Sequence, residues 1–128
     1  VIDEPSPFER LGGEPAVRAL VTRFYDLMDT LPEARAVRAV HPADLGHARE
    51  KLALFLIGWL GGPPLYVERY GHPRLRARHL PFRVGRVERD EWMLCMRRAL
   101  AEVVADEALR AHLDAALGRL ATHMINTP

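Results

Sequence analysis

The sequence has a single cysteine, Cys95, among its 128 residues. That excludes a disulfide framework and a multi-cysteine metal cluster, and a lone thiol is the habit of a reducing compartment such as the cytoplasm. Neither sign of charge is in surplus. Eighteen Lys and Arg face 17 Asp and Glu, for a net charge of +1. Binding to nucleic acid through bulk electrostatics is disfavoured on that balance. A membrane span is also missing. The longest charge-free run, Leu52 to Val67, is interrupted by Gly61-Gly62-Pro63-Pro64, and it falls short of the roughly 18 apolar residues a span needs. The first residues, Val1-Ile2-Asp3-Glu4-Pro5, have neither the basic nor the apolar region of a secretory leader. There is no Gly-rich phosphate loop, no H-E-x-x-H and no G-x-S-x-G, which removes the commonest signatures of nucleotide, zinc-protease and serine-hydrolase chemistry.

Helical periodicity is what the sequence does have. The composition, 48% hydrophobic and 27% charged, is that of one ordinary globular domain, 1–128, large enough to bury a core. Val17, Leu20, Val21, Phe24, Leu27 and Met28 recur at helical spacing after Gly12-Gly13-Glu14-Pro15, a favourable helix start. Pro32 ends that segment, and a short one follows from Glu33 to Val40. Asp44 is a predicted N-cap for a helix whose inward stripe is Leu45, Ala48, Leu52, Phe55, Leu56 and Trp59. Gly61 to Pro73 reads as the longest loop. A short helix, Arg74 to Leu80, stops at Pro81. Two long helices close the chain. The first, about Val87 to Val104, turns Trp92, Met96, Ala99, Leu100 and Val103 inward. The second, about Asp106 to Ile125, turns in Leu109, Leu113, Ala116, Leu117, Leu120 and Met124. No segment alternates with period two. The expected fold is all-α, with about six helices and an antiparallel C-terminal pair.

The six histidines do not cluster as metal ligands. His112 and His123 share a helix face but stand about 16 Å apart, and His41 and His47 are not on one face. His79 is the most suggestive. It lies four residues after Leu75, so its Nδ1 proton can reach the carbonyl of residue 75, leaving Nε2 free for a metal. The surroundings of His79 are basic: between Glu68 and Arg89, seven arginines stand against two glutamates. That is either a solvated face or an anion site. Tyr25, on the flank of the first stripe, and Trp92 are each polar-tipped aromatics that need a partner when buried. Cys95, among apolar neighbours, reads as an inert buried thiol, and Met93 or Leu94 as apolar surface for a homodimer contact.

These pieces come together in a resemblance. Phe8-Glu9-Arg10-Leu11-Gly12-Gly13, Arg23-Phe24-Tyr25, Trp59-Leu60-Gly61-Gly62-Pro63, the run from Gly71-His72-Pro73 through His79-Leu80-Pro81-Phe82, and Glu88-Arg89-Asp90 with Trp92 together resemble the group II truncated haemoglobins, from Phe8 to about Asn126. The resemblance implies a shortened globin, a two-over-two helical sandwich around haem b. It implies His79 as proximal iron ligand through Nε2, and Lys51 and Arg78 as partners of the haem propionates. Leu52, Phe55, Leu75, Phe82 and Met96 would wall the haem. Tyr25 and Trp92 would donate hydrogen bonds to an iron-bound ligand. His41 stands where relatives often carry tyrosine or phenylalanine, and it enters the distal set as a third donor. Ala48 stands where many other globins carry a distal histidine, and its methyl leaves a ligand entry route. The implied function is binding of O₂, NO, CO and similar ligands, with slow O₂ release that suits redox or NO and reactive-oxygen detoxification. NO dioxygenation, peroxidase-like or sulfide chemistry would draw electrons from a separate reductase, since the chain has no flavin or nicotinamide motif. The competing expectation is a haem-free helical module that offers its Arg-rich face to an acidic partner.

Overall fold

A computed structural model describes residues 4–128. The described residues form α1 (Pro7–Leu11), α2 (Gly13–Thr30), a 3₁₀ turn (Pro32–Ala34), α3 (Arg35–Ala39), α4 (Gly46–Trp59), α5 (Leu65–Tyr70), α6 (Leu75–His79), α7 (Arg86–Val103) and α8 (Glu107–His123). They contain no strand, and none of their helices is long and apolar enough to cross a membrane.

The core follows the predicted stripes. Val17, Leu20, Val21, Phe24, Leu27 and Met28 on α2 are all buried and pack chiefly on α7 and α4. On α7, Met96, Ala99 and Leu100 are buried; on α8, Leu109, Leu113 and Leu117. The three-residue link between α7 and α8 lays them side by side as packed neighbours. Asp106 caps α8 by accepting from the Leu109 N–H at 3.0 Å. Leu31 and Pro32 end α2 as expected, because proline cannot continue the hydrogen-bond ladder.

The glycine turns hold the layers close. Gly12 has φ 120° and links α1 to α2, a conformation that only a residue without Cβ adopts freely. At Gly62 a Cβ would come 2.8 Å from the Ile57 carbonyl oxygen and 2.9 Å from the Phe8 ring. The Phe8 N–H donates to the Leu60 carbonyl at 2.9 Å, so α1 is pinned to the end of α4.

Three expectations about the frame are corrected. The long loop contains a helix, α5. Its six residues were masked by the Gly-Pro clusters on both sides, yet Tyr66 and Tyr70 stand one turn apart with centroids at 5.0 Å. Trp59 is 38% exposed rather than inward, because it is the last residue of α4, where the chain turns away from the core; it stacks on Phe55 instead. Met93 is buried within the chain, so it adds no surface for a dimer contact. Asp44 does cap, but through an Asx turn: its Oδ1 accepts from Gly46 N–H at 2.8 Å, with Leu45 intervening before α4.

Candidate functional site

A cavity of about 380 Å³ lies between α2, α4, α7 and α8, with α3, α5 and α6 at its edges. It brings together most of the sequence-predicted residues: Tyr25, His41, Ala48, Lys51, Leu52, Phe55, Leu75, Arg78, His79, Phe82 and Trp92. Met96 is the exception. It is fully buried in the core and does not line the cavity. On α7 it shares the face of Trp92 but lies one turn farther along the helix, inside the buried core cluster and past the end of the cavity.

His79 ends α6, a helix of five residues with none buried. Its Nδ1 lies 2.6 Å from the Leu75 carbonyl oxygen, the contact expected from their spacing. A carbonyl can only accept, so Nδ1 carries the proton and Nε2 is left as a bare base. Metal-ligating histidines are held in this way. α6 starts abruptly: Arg74 has φ 45° and ψ 51°, the left-handed region, and its N–H is received by His72 Nδ1 at 3.1 Å.

The C-terminal segment holds this corner. Asn126 Nδ2 donates to the carbonyls of His79 and Phe82, both at 3.0 Å. Its Oδ1 accepts from Val84 N–H at 3.0 Å, and its own N–H donates to the Val84 carbonyl at 2.9 Å. Arg76 Nη1 donates to the carbonyls of His123 and Ile125, each at 2.8 Å. Asn126 carries no sequence signal of such a role, since its partners lie 42 to 47 residues earlier. Tyr66 was also missed. It is buried, lines the cavity, and has the Arg78 guanidinium 5.9 Å from its ring centroid.

The opposite wall is built by long elements. Tyr25 is 4% exposed on α2, edge-on to Phe24 and to the His41 ring. Phe24 in turn meets Trp92 at 4.9 Å. Burial pushes the Tyr25 phenol well above its ordinary range, with the Arg49 charge opposing, so the hydroxyl keeps its proton. Neither the Tyr25 hydroxyl nor the Trp92 indole N–H makes a hydrogen bond among the described residues, and neither is an unpartnered buried atom. These are two donors at a cavity wall with nothing yet to donate to.

His41 follows α3. Its backbone N–H donates to the Arg38 carbonyl at 3.1 Å, and its Nδ1 lies 2.9 Å from the Val37 carbonyl. Glu91 accepts from the Val37 N–H at 2.9 Å and so ties α3 to α7. Burial chiefly lowers the His41 pKa, the Val37 hydrogen bond opposes it, and the Arg38 charge adds to the lowering. The neutral ring therefore has its proton on Nδ1. In that form its Nε2 accepts, and the ring serves as a third donor only when it is protonated.

The arginine-rich stretch separates into parts. Arg76 is spent on the C-terminal segment, and Arg89 on Asp90 at 2.6 Å and Thr122 at 3.0 Å. Arg69 reaches Glu50 at 4.0 Å. Arg78 donates Nε to the Pro73 carbonyl at 2.7 Å while lining the cavity. Lys51 lines it from α4, with Nζ 5.2 Å from the Tyr70 ring centroid. Lys51 and Arg78 thus stand as cations at a largely apolar crevice, which Glu88 and Arg89 also line. Cys95 is fully buried, and burial pushes its thiol up to about 11, which makes it inert. Among the described residues no group of three His, Cys, Asp or Glu is placed to hold a metal ion.

These features fit haem b. The walls are apolar on both sides, and Phe82 is 49% exposed at the cavity, a large apolar surface left to be covered. The rim cations suit two carboxylates, and the His79 ring is oriented through Nδ1, with Nε2 in no hydrogen bond among the described residues.

Comparison with known proteins agrees. The bacterial-like globin family model matches residues 6–126. Group 2 truncated haemoglobin YjbI of Bacillus subtilis is 39% identical over 121 residues, covering 94% of this chain and 89% of that protein. The group II 2-on-2 haemoglobin of Agrobacterium tumefaciens superposes with a TM-score of 0.96 at 50% identity, covering 99% of this chain and 98% of that one. A truncated oxygen-avid haemoglobin from Bacillus subtilis superposes at 0.87 with 38% identity, covering 95% and 100%. The chain belongs to the bacterial-like globin family, whose cofactor is haem b, and its helices adopt the two-on-two fold of the group II truncated haemoglobins.

Proposed function

We propose that this chain binds O₂ and other diatomic ligands at a haem held by His79, and releases O₂ slowly. The observation that carries the reading is a polarity difference across one cavity: a bare imidazole nitrogen on α6, and two unpartnered donors on α2 and α7. Haem supplies the iron centre at which a diatomic ligand takes up electron density. The protein supplies the rest. His79 is oriented by Leu75 and offers Nε2. Lys51 and Arg78 are placed for the propionates, and Leu52, Phe55, Leu75 and Phe82 exclude water from the faces.

Tyr25 and Trp92 give the ligand side its character. Tyr25 stays protonated because it is buried, so its O–H is available as a donor. Each hydrogen bond to a charged acceptor contributes about 1.5–3 kcal/mol. Ala48 offers no polar group and leaves the entry side open. The oxygen-avid relative is in keeping with this donor set. Slow release favours redox work, with NO and reactive-oxygen detoxification ahead of oxygen transport. Electrons for such turnover come from a separate reductase.

The test is stopped-flow O₂ dissociation from the ferrous protein. Tyr25→Phe and Trp92→Phe are each expected to speed release, by about 10- to 100-fold. Unchanged rates in both would sink the donor account. Purification of a folded but colourless protein would overturn the haem assignment and restore the haem-free module.

A further inference from the structure

Two histidines border the cavity with the same local lock. His79 Nδ1 lies 2.6 Å from the carbonyl four residues earlier, and His41 Nδ1 lies 2.9 Å from the carbonyl four residues earlier. Both follow the same construction: a helix of five residues, α6 or α3, ends at or just before the histidine, and the ring folds back on the carbonyl one turn earlier. In each neutral ring the proton is on Nδ1, so each Nε2 is a lone-pair base with no hydrogen-bond partner among the described residues. In the contact that orients the ring, His41 matches His79.

Competition for the role is weak. Tyr25 keeps its phenol proton, Trp92 has only a donor, and Ala48 has a methyl. His47 also lines the cavity, but it is exposed and its ring makes no hydrogen bond that would orient it. The loop carrying His41 is anchored. Arg38 donates to the carbonyls of Pro42 and Ala43, each at 2.9 Å, and to Asp29 at 2.9 Å.

Resting on the haem reading above, we infer that His41 is a second axial base. In the absence of an external ligand its Nε2 coordinates the iron on the side opposite His79. The new bond is dative, from the Nε2 lone pair. No proton is released, because Nε2 carries none, and no electron is transferred. O₂ or CO then has to displace His41, which makes the loop after α3 a gate on ligand entry. Tyr25, edge-on to the His41 ring at 5.9 Å, is beside the imidazole when it leaves.

The experiment uses the whole haem-loaded protein. Optical spectra of both oxidation states and low-temperature EPR of the ferric state are recorded without added ligand. The set is wild type, His41→Phe, His47→Ala and Tyr25→Phe, with His41→Gln as the alternative if the Phe variant fails to fold. Expected are a low-spin ferric signal and split ferrous visible bands in wild type, His47→Ala and Tyr25→Phe, and conversion to high spin in the His41 variant. CO association is expected to level off with CO concentration in wild type. In the His41 variant it should rise linearly and run about ten-fold faster, as for a site that was competent one-tenth of the time. A high-spin wild type, or a low-spin signal that survives loss of His41, overturns the inference while leaving the haem reading intact. A wild type with no Soret band overturns both.

Discussion

The two walls of the cavity are held by different means. The wall that carries Tyr25 and Trp92 belongs to 18-residue helices with buried stripes, seven buried residues on α2 and five on α7. The wall that carries His79 is five residues long, buries none of them, and begins at a left-handed Arg74. One wall is ordered by hydrophobic packing. The other is ordered by polar bonds to the C-terminal segment and, when present, by the cofactor itself. An element too short to bury a face cannot form on its own, so the ligand-binding base sits on the part of the chain that packing holds least. The donors opposite it sit on the part packing holds most.

That contrast can be broken from either side. The largest effect is expected from Phe24→Ala. Phe24 is fully buried between Tyr25 and Trp92, and its loss should cost about 3–5 kcal/mol of global stability by urea unfolding. A cost below about 1 kcal/mol would mean that the donor wall does not rest on the core.

Next is Asn126→Ala, which removes the side-chain bonds to His79, Phe82 and Val84. We expect a loss of about 1–3 kcal/mol, confined to the proximal corner. Amide exchange should speed up over residues 79–85 and stay unchanged over α2. Equal acceleration in both regions would erase the distinction drawn here.

Arg74→Gly should act in the opposite direction and more weakly. A non-glycine residue in the left-handed region is strained by about 1–2 kcal/mol, and part of the relief is lost to the greater freedom of glycine when unfolded. A gain of about 0.5–1 kcal/mol, read by thermal unfolding, is expected. Destabilisation would show that the Arg74 side chain contributes more than its backbone costs.

The smallest expected effect is a pH dependence in the haem-free chain. The His41 pKa in the fold lies below its ordinary value of 6.5, chiefly because of burial. The unfolded chain therefore takes up the proton first. Stability is complete above the ordinary value and declines as pH falls below it. Wild type should lose more stability than His41→Phe between about pH 7.5 and about pH 5.5. Parallel losses would place His41 in a solvent-like setting.

Much of the fold was legible because the long helices advertise themselves. The stripes on α2, α7 and α8 repeat at helical spacing over four or five turns, and no other burial satisfies them. The His79–Leu75 contact was legible for the same reason, since four residues make one turn. What escaped was either short or distant. α5 has fewer than two turns between glycine and proline clusters, too little for a periodicity to register. Trp59 has the right spacing for the α4 stripe, but the helix ends there, and spacing cannot say where a neighbour stops. Met96 has an inward position on α7, but an inward residue can face the core or the cavity. The partition depends on where α2 crosses.

By itself, then, the sequence determined the helical class and the main core residues, because these follow from local spacing, and it carried a resemblance to the truncated haemoglobins that pointed to most side chains of the crevice. Only the tertiary structure decided which nitrogen of His41 carries the proton, which arginines are spent on the protein, and that Asn126 clasps the proximal corner. Each of those depends on a hydrogen-bonding partner that only the folded backbone supplies. The His41 contact spans four residues but needs the chain to keep a helical turn just past the end of α3, and Asn126 depends on carbonyls more than 40 residues away along the chain.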